Sequence, residues 1–332
     1  MKKRKKSVFI VWKEYQRRVE VFAPHLETEH FYFYHSWEMR SKVFKAISYI
    51  PKTINSLKCL FENRPSLVFL QFPPTPALYA VALYSWLTGA NYVSDCHIGL
   101  TNQRWLNWLF AKKLLAKGEV IVHNAHLVQQ VEEKIKTTPF VVRDGIAKKQ
   151  INEANGENLL KKLGLSSRKY VLFPSSFDKD EPLQEVFDAA RTLPEINFVM
   201  TWHAEKLAKH IKKTLPPNVL LTGFLEIDDF NQLFANAGVA LVLTKNEGVQ
   251  LSGMQEAMAF EIPAVVSDLN TSRFLYKDFP VYVKNNPVSI AKGIKHAFQN
   301  ERELEEKIRK LRIESEKEFH AQMSNFRASL YP

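Results

Sequence analysis

The sequence predicts an α/β protein of two successive doubly wound domains, each a parallel sheet with helices on both faces. Three observations carry that expectation. Apolar runs of strand length alternate with segments of helical period. The alternation breaks once, at a polar stretch near the middle, and then restarts. The chain has 332 residues, which suits two domains of about 150 residues better than one core.

In the first half the buried runs are Val8-Phe9-Ile10-Val11 and Leu67-Val68-Phe69-Leu70, the second ended by Gln71-Phe72-Pro73-Pro74. Asn91-Tyr92-Val93-Ser94, Val120-Ile121-Val122 and Phe140-Val141-Val142 continue the series, with helical patterns over 77–87 and 105–115 between them. Strands spaced by helices argue for a parallel sheet wrapped on both faces. After the turn Asp144-Gly145, residues 147–158 lack an apolar period and read as a linker, which divides the chain into 1–148 and 149–332. The strands then resume as Tyr170-Val171-Leu172-Phe173, Asn197-Phe198-Val199-Met200 and Val219-Leu220-Leu221. Val239-Ala240-Leu241-Val242-Leu243 and Ala264-Val265-Val266-Ser267 follow. A charged helical pattern over 300–330 closes the chain, and Phe319, Met323 and Phe326 lie at helical spacing to dock it on a domain.

Composition excludes several classes. Hydrophobic residues make up 45% and charged residues 24%, an ordinary globular balance rather than a disordered one. Two cysteines, Cys59 and Cys96, exclude a disulfide framework and fit a reducing compartment. The charged start at Lys2 is followed by only five residues before Trp12 and Lys13, too short for a secretory core. The greasy stretch 66–93 is broken by Pro73, Pro74, Pro76 and Gly89, so it reads as strand, loop and helix rather than a membrane span. A soluble, cytoplasmic protein is expected. Net charge is +11, and residues 1–150 hold 23 Lys+Arg against 11 Asp+Glu, a balance of +12, so all of the excess sits in the first half. Such a surface attracts anionic lipid headgroups, phosphorylated substrates or nucleic acid.

The segment richest in chemistry is Thr244-Lys245-Asn246-Glu247-Gly248-Val249-Gln250-Leu251-Ser252-Gly253-Met254-Gln255-Glu256-Ala257-Met258-Ala259, which directly follows a strand. Ser252 with Gln255 three residues on forms a capping-box pattern, so a helix is expected from about Gly253 until Pro263 stops it. Its N-terminus would lie at the carboxyl ends of the strands, where open sheets bind ligands. A helix N-terminus offers unpaired N–H groups to an anion, and Gly253 lets a diphosphate approach the backbone closely. Glu256, expected in the first turn, would accept hydrogen bonds from a ribose diol, and Glu247 would reach the sugar beyond the phosphates. The plain alternative is a capped helix with a favourable acid in its first turn.

Glu247-Gly248, Glu256-Ala257-Met258-Ala259 and Pro263-Ala264-Val265-Val266-Ser267-Asp268 resemble the donor-site motif of retaining GT-B glycosyltransferases of family four, the glycosyl transferases group 1. Leu221-Thr222-Gly223-Phe224 and Val142-Arg143-Asp144-Gly145-Ile146 are similar to elements elsewhere in that family. The resemblance implies a GT-B fold of two Rossmann-like domains facing across a cleft, with a C-terminal helix. The first domain would bind the acceptor and the second a nucleotide diphosphate sugar. It further implies transfer of a hexose-type sugar with retention, without a metal or any cofactor beyond the donor. Glu247 would contact the sugar near the reacting carbon and Glu256 the ribose, while backbone groups around Leu251, Ser252 and Gly253 hold the diphosphate, with Gly248 and Gln250 also in the donor site. His97, in Asp95-Cys96-His97, matches the position of a histidine that touches the transferred sugar.

The motif departs from the family in two places. The glutamates are nine residues apart where eight is usual. A basic pair expected after the first strand of the second domain is replaced by Phe173-Pro174-Ser175-Ser176-Phe177-Asp178-Lys179-Asp180-Glu181-Pro182, leaving Lys179 as the basic group there and Arg273 as the alternative phosphate contact. Asp178-Lys179-Asp180 also satisfies the D-x-D pattern of metal-dependent transferases, a weak signal because it recurs in loops by chance. The expected setting is cell-surface polysaccharide synthesis: lipopolysaccharide, capsule or exopolysaccharide. The acceptor would be a saccharide or lipid-linked, and an enzyme peripheral on an anionic membrane suits the basic first half. Two other readings stand beside it. A nucleotide-sugar epimerase would use the same fold, and a nucleic-acid binder would use the basic half with Trp105 and Trp108, although no nucleic-acid motif is present.

Overall fold

The computed structural model describes residues 6–96, 103–146, 153–175, 177, 179–202, 215–223 and 225–330. The chain divides into two compact units, residues 1–145 with 317–332, and residues 146–316. The first boundary falls within three residues of the one read from the sequence. The terminal helix differs, because its last segment belongs to the first unit rather than the second.

The first unit is a six-stranded sheet in the order β2-β1-β3-β4-β5-β6, with every described pairing parallel. The strands are β1 (Ser7–Val11), β2 (Glu29–Tyr32), β3 (Leu67–Phe72), β4 (Asn91–Cys96), β5 (Glu119–Val122) and β6 (Phe140–Val141). Parallel pairing requires crossovers, and helices supply them. α1 (Arg17–Leu26) packs on one face of the sheet. α2 (Lys42–Asn63) and α3 (Thr75–Thr88) pack on the other. The helix expected over 105–115 is instead two short pieces, α4 (Gln103–Leu106) and α5 (Ala111–Leu115), separated where Phe110 adopts φ 59°. That left-handed turn strains a bulky residue, and it lets Leu106 and Leu115 both reach the core. α6 (Val128–Ile135) completes the layer.

The second unit is a six-stranded parallel sheet ordered β12-β11-β10-β7-β8-β9. Its strands are β7 (Tyr170–Phe173), β8 (Asn197–Met200), β9 (Val219–Leu221), β10 (Val239–Val242), β11 (Ala264–Ser267) and β12 (Val281–Val283). Counted within the unit this is the Rossmann order 3-2-1-4-5-6, whose switch point falls between β7 and β10. The helices are α7 (Glu153–Leu163), α8 (Leu183–Arg191), α9 (Ile227–Ala235), α10 (Ser252–Phe260), α11 (Asn270–Tyr276), α12 (Pro287–Gln299) and α13 (Glu301–Leu330). The expected linker over 147–158 is therefore helical from Glu153, because Leu159 and Leu160 give the segment an apolar face that packs into the core. Its first residues, 147–152, lie outside the described ones.

Phe319, Met323 and Phe326 are buried on the first unit with Phe22, Phe69 and Phe140, so they dock the last part of α13 as their spacing predicts. Gly145 lies under this helix, and a Cβ there would come within 3.0 Å of the Phe319 ring and 2.5 Å of Val21. Beneath the carboxyl end of the first sheet, Arg18 donates through Nε to both Asp95 oxygens (3.1 and 2.9 Å), through Nη1 to Asp144 (2.5 Å) and through Nη2 to the Val142 carbonyl (2.8 Å). Burial opposes its charge, and the two carboxylates more than offset that, so the guanidinium pKa is raised.

Two stability effects follow. Asp95→Asn leaves Arg18 buried without its main counter-charge and should cost the first unit about 3–5 kcal/mol in urea unfolding. Tryptophan fluorescence reports this directly, since five of the six tryptophans lie in that unit; a loss below about 1 kcal/mol contradicts the account. Gly238→Ala drives a Cβ to 2.5 Å from the Arg168 carbonyl, a backbone atom that has little room to yield. The second unit should lose about 1–3 kcal/mol, read as a drop of roughly 2–10 °C in its melting temperature.

Candidate active site

The carboxyl ends of the second sheet meet at Thr244, the second residue after β10. Its N–H donates to Ser267 Oγ (3.0 Å), its hydroxyl donates to Asp180 Oδ2 (2.8 Å), and its carbonyl accepts from Asn285 Nδ2 (2.8 Å). Ser267 in turn donates to Asn285 Oδ1 (2.8 Å), and the Asn246 N–H reaches the Thr244 hydroxyl (3.2 Å). One buried residue thereby ties the loops after β7, β10 and β12 to the end of β11. The Lys245 N–H donating to the Asp180 carbonyl (2.6 Å) repeats the link across the switch point. Asp180 is committed to this bracing, so it does not stand in the open as half of a D-x-D pair. Asp178 lies outside the described residues.

The loop from Thr244 delivers the chain to α10. Gly248 takes φ 79°, a left-handed conformation suited to glycine, and its N–H donates to Thr271 Oγ1 (2.8 Å). Leu251 is buried, and its N–H donates to the Tyr276 hydroxyl (3.2 Å). That anchor makes Leu251 the cap residue and Ser252 the first helical one. The capping box expected at Ser252 is therefore not formed: no side chain caps α10, and Ser252 is exposed at its first position. Glu256 accordingly falls fifth in the helix, half-buried at the start of the second turn rather than within the first. The first-turn N–H groups of such a helix lack intrahelical acceptors, and the dipole favours an anion there.

Gly253 has a packing reason beside the one read from the sequence. A Cβ would lie 3.0 Å from Pro174 and 3.1 Å from Val242, so its absence lets α10 settle onto β10 and the loop after β7. The amide oxygens of Gln250 and Gln255 are buried without a hydrogen-bond donor among the described residues.

Glu247 is held firmly. Its two oxygens accept from the Asn270 N–H (3.0 Å), the Thr271 N–H (3.0 Å) and the Thr271 hydroxyl (2.9 Å), so it caps the start of α11. The sequence suggested a carboxylate reaching toward a sugar; the structure gives it a structural partner as well. Arg273 is likewise engaged, donating to Asp268 (2.6 Å) with its guanidinium 4.2 Å from the Tyr282 ring centroid. The Arg273 contact holds the Asp268 carboxyl below the ordinary aspartate range. Lys179 is exposed in the turn before α8. His97 lies outside the described residues, whereas its neighbours Asp95 and Cys96 are buried at the end of β4.

Sequence reasoning passed over Thr244, Ser267, Asn285 and Tyr276, the residues that shape the loop. The signal was slight: a Thr, a Ser and an Asn at the ends of three strands, residue types that terminate strands in any sheet. Among the described residues no group of acidic, histidine and cysteine side chains is arranged to hold a metal ion.

Residues 156–314 match the family model described as glycosyl transferases group 1. Over 98% of this chain and 99% of theirs, the fold is similar to that of HepE from Anabaena in complex with UDP and glucose, with TM-score 0.75 and 14% identity. Sucrose-phosphate synthase from Thermosynechococcus elongatus is similar over 98% of both chains, with TM-score 0.71 and 12% identity. UDP-GlcNAc 2-epimerase from Methanocaldococcus jannaschii is less so, with TM-score 0.58 and 13% identity over 88% of this chain and 92% of that one. No curated protein sequence matches. The chain has the GT-B fold, and the domain that carries the Thr244 bracing and the start of α10 belongs to the glycosyl transferases group 1.

Proposed function

We propose that the protein transfers a hexose-type sugar, with retention and without a metal, from a nucleotide diphosphate donor to a saccharide or lipid-linked acceptor. The observation that carries this reading is the start of α10. It is a helix N-terminus without a side-chain cap, braced at the Rossmann switch point, with Glu256 one turn further on. The diphosphate sits on the N–H groups of Ser252 and Gly253, with Leu251, Gly248 and Gln250 shaping the loop beside it. Glu256 takes the ribose diol. Glu247 holds α11 in place and faces the sugar near the reacting carbon, and His97 contacts the same sugar from the first domain. Lys179 and Arg273 are the cations offered to the leaving diphosphate; stabilising that charge is the main catalytic task of a site without a metal. HepE, solved with UDP-glucose, supports a UDP-hexose as the donor. No cofactor beyond the donor is required.

The setting we assign is cell-surface polysaccharide synthesis, with the enzyme cytoplasmic and peripheral on an anionic membrane. Among the described residues no helix is long and apolar enough to cross a membrane. The nucleic-acid reading drew on Trp105 and Trp108 beside the basic first half; the two rings stack on each other with centroids 6.0 Å apart, and each also packs on a tyrosine, Tyr49 or Tyr79, so packing accounts for that pair without a base.

Thermal shift against UDP, GDP, CDP and ADP tests the donor. UDP at about 100 times its dissociation constant should stabilise by about 2.7 kcal/mol without magnesium, and Glu256→Ala should abolish the shift. No shift with any nucleotide contradicts the proposal, and release of a free 2-epimer from a UDP-sugar without acceptor favours an epimerase. A pair of variants separates the two roles of Glu247. Glu247→Ala should lower stability by about 1 kcal/mol through the lost cap, and Glu247→Gln should lower it less. Both should lower kcat by about 100-fold or more if the carboxylate acts on the sugar. Full activity in Glu247→Gln would reduce Glu247 to a cap.

A further inference from the structure

α2 turns a largely polar stretch inward. Its buried face carries Ser48, Lys52 and Ser56, each almost fully enclosed, followed by Cys59 and Leu60 in the core. This polar face is satisfied internally: Lys52 pairs with the buried Glu38 at 2.5 Å, the Trp12 indole N–H donates to Ser56 Oγ (2.8 Å), and Ser48 donates to the Lys45 carbonyl (2.7 Å). The opposite face exposes Val43, Ile47, Ile50, Ile54 and Phe61, spaced 4, 3, 4 and 7 residues apart, which places them on one stripe. Ile50 is 65% exposed. A helix of a water-bound surface turns such a stripe inward, so this one is shaped for something other than water.

The stripe does not stand alone. α3 packs beside α2 on the same face of the first sheet, and Phe61 meets Tyr84 edge-on with ring centroids 5.2 Å apart. α3 exposes Leu83, Trp86 and Leu87, with Trp86 76% exposed, and residues 75–94 contain no Asp, Glu, Lys or Arg. Tyr79, on the same side of α3 as Leu83 and Trp86, donates to the Leu109 carbonyl (2.5 Å). There Leu109 and Phe110 stand out into solvent, and Tyr79, Trp108, Leu109, Phe110 and Leu114 line a depression of about 580 Å³.

The charges around this face have one sign. Apart from the buried Lys52, residues 39–64 contain five Lys or Arg and a single acid, Glu62, and residues 103–117 contain four Lys or Arg and no acid. A twofold contact between two copies would lay the same basic patch against itself and set like charges opposite each other, which disfavours self-association. An apolar stripe flanked by lysines and arginines matches a bilayer interface, where the apolar residues enter the acyl boundary and the cations meet anionic headgroups.

We infer that the outer face of α2 and α3, with the 108–110 turn, is the surface by which the first unit docks on an anionic lipid bilayer. The inference deepens the membrane placement proposed above, and it names the residues that enter the lipid. Docking needs no donor, so the two are tested separately on the full chain. Flotation with vesicles of phosphatidylglycerol and phosphatidylcholine should carry the protein at least about tenfold more efficiently than vesicles of phosphatidylcholine alone. Raising the salt to about 0.5 M should weaken binding as the headgroup charge is screened. The double variant Ile47→Glu/Ile50→Glu changes only exposed positions. It should lose flotation and keep the melting temperature and the UDP-induced shift of the parent. A parent that stays in solution with anionic vesicles overturns the inference, as does a double variant that still floats. A parent that is dimeric in light scattering and becomes monomeric in the variant also overturns it, by assigning the face to a second copy. Flotation without any nucleotide shift would leave the docking face standing and sink the donor reading instead.

Discussion

The second unit depends on the hydrogen bonds of Thr244. Every polar group of this residue is used, and its partners come from the ends of different strands. In a parallel sheet the strands are separated in sequence by whole helices, so nothing local holds the loops at their carboxyl ends together. Thr244, Ser267, Asn285 and Asp180 supply that connection at the switch point. Because Thr244 and Ser267 are both enclosed, losing the bond between them strands a polar group in the interior, which is costly. The loop to α10 is thereby held in place by the protein's own contacts, a pre-organisation that the proposed donor site would draw on.

The first unit solves the matching problem differently. There a single buried guanidinium gathers the ends of β4 and β6, with Asp95 and Asp144 as counter-charges. Both devices put polar structure at the carboxyl ends of the strands. The terminal helix adds to both units in turn. Around Glu314 and Arg309 it is tied to Lys277 and Glu261 of the second unit, and from Glu318 onward to Arg143 and Glu27 of the first.

The central strands of both sheets were legible because they are buried on both faces and read as unbroken apolar runs. β2 and β12 were not, and both are edge strands. Glu29-His30-Phe31-Tyr32 opens with two polar residues and so carries no apolar run; Val281-Tyr282-Val283 is an apolar run of three, no shorter than Val219-Leu220-Leu221, and was passed over. The break at Phe110 was hidden because a positive φ at a bulky residue has no sequence signature. The helix of the site was legible in place, yet its start was misjudged by one residue. Ser252 and Gln255 fit a capping box by type, and the long-range bond from Leu251 to Tyr276 overrides that local preference. The face of α2 shows the limit most clearly. Val43, Ile47, Ile50 and Ile54 share a helical period that does not say which way the stripe faces; the buried Ser48, Lys52, Ser56 and Leu60 show that it faces outward.

The measurement that tests the central claim most directly is backbone hydrogen exchange with and without UDP, read peptide by peptide. The account predicts slowed exchange in the peptide that spans Gly248 to Glu256, because the N–H groups of Ser252 and Gly253 take the diphosphate as their acceptor. Unchanged exchange in that peptide, with protection confined to the first unit, would contradict it.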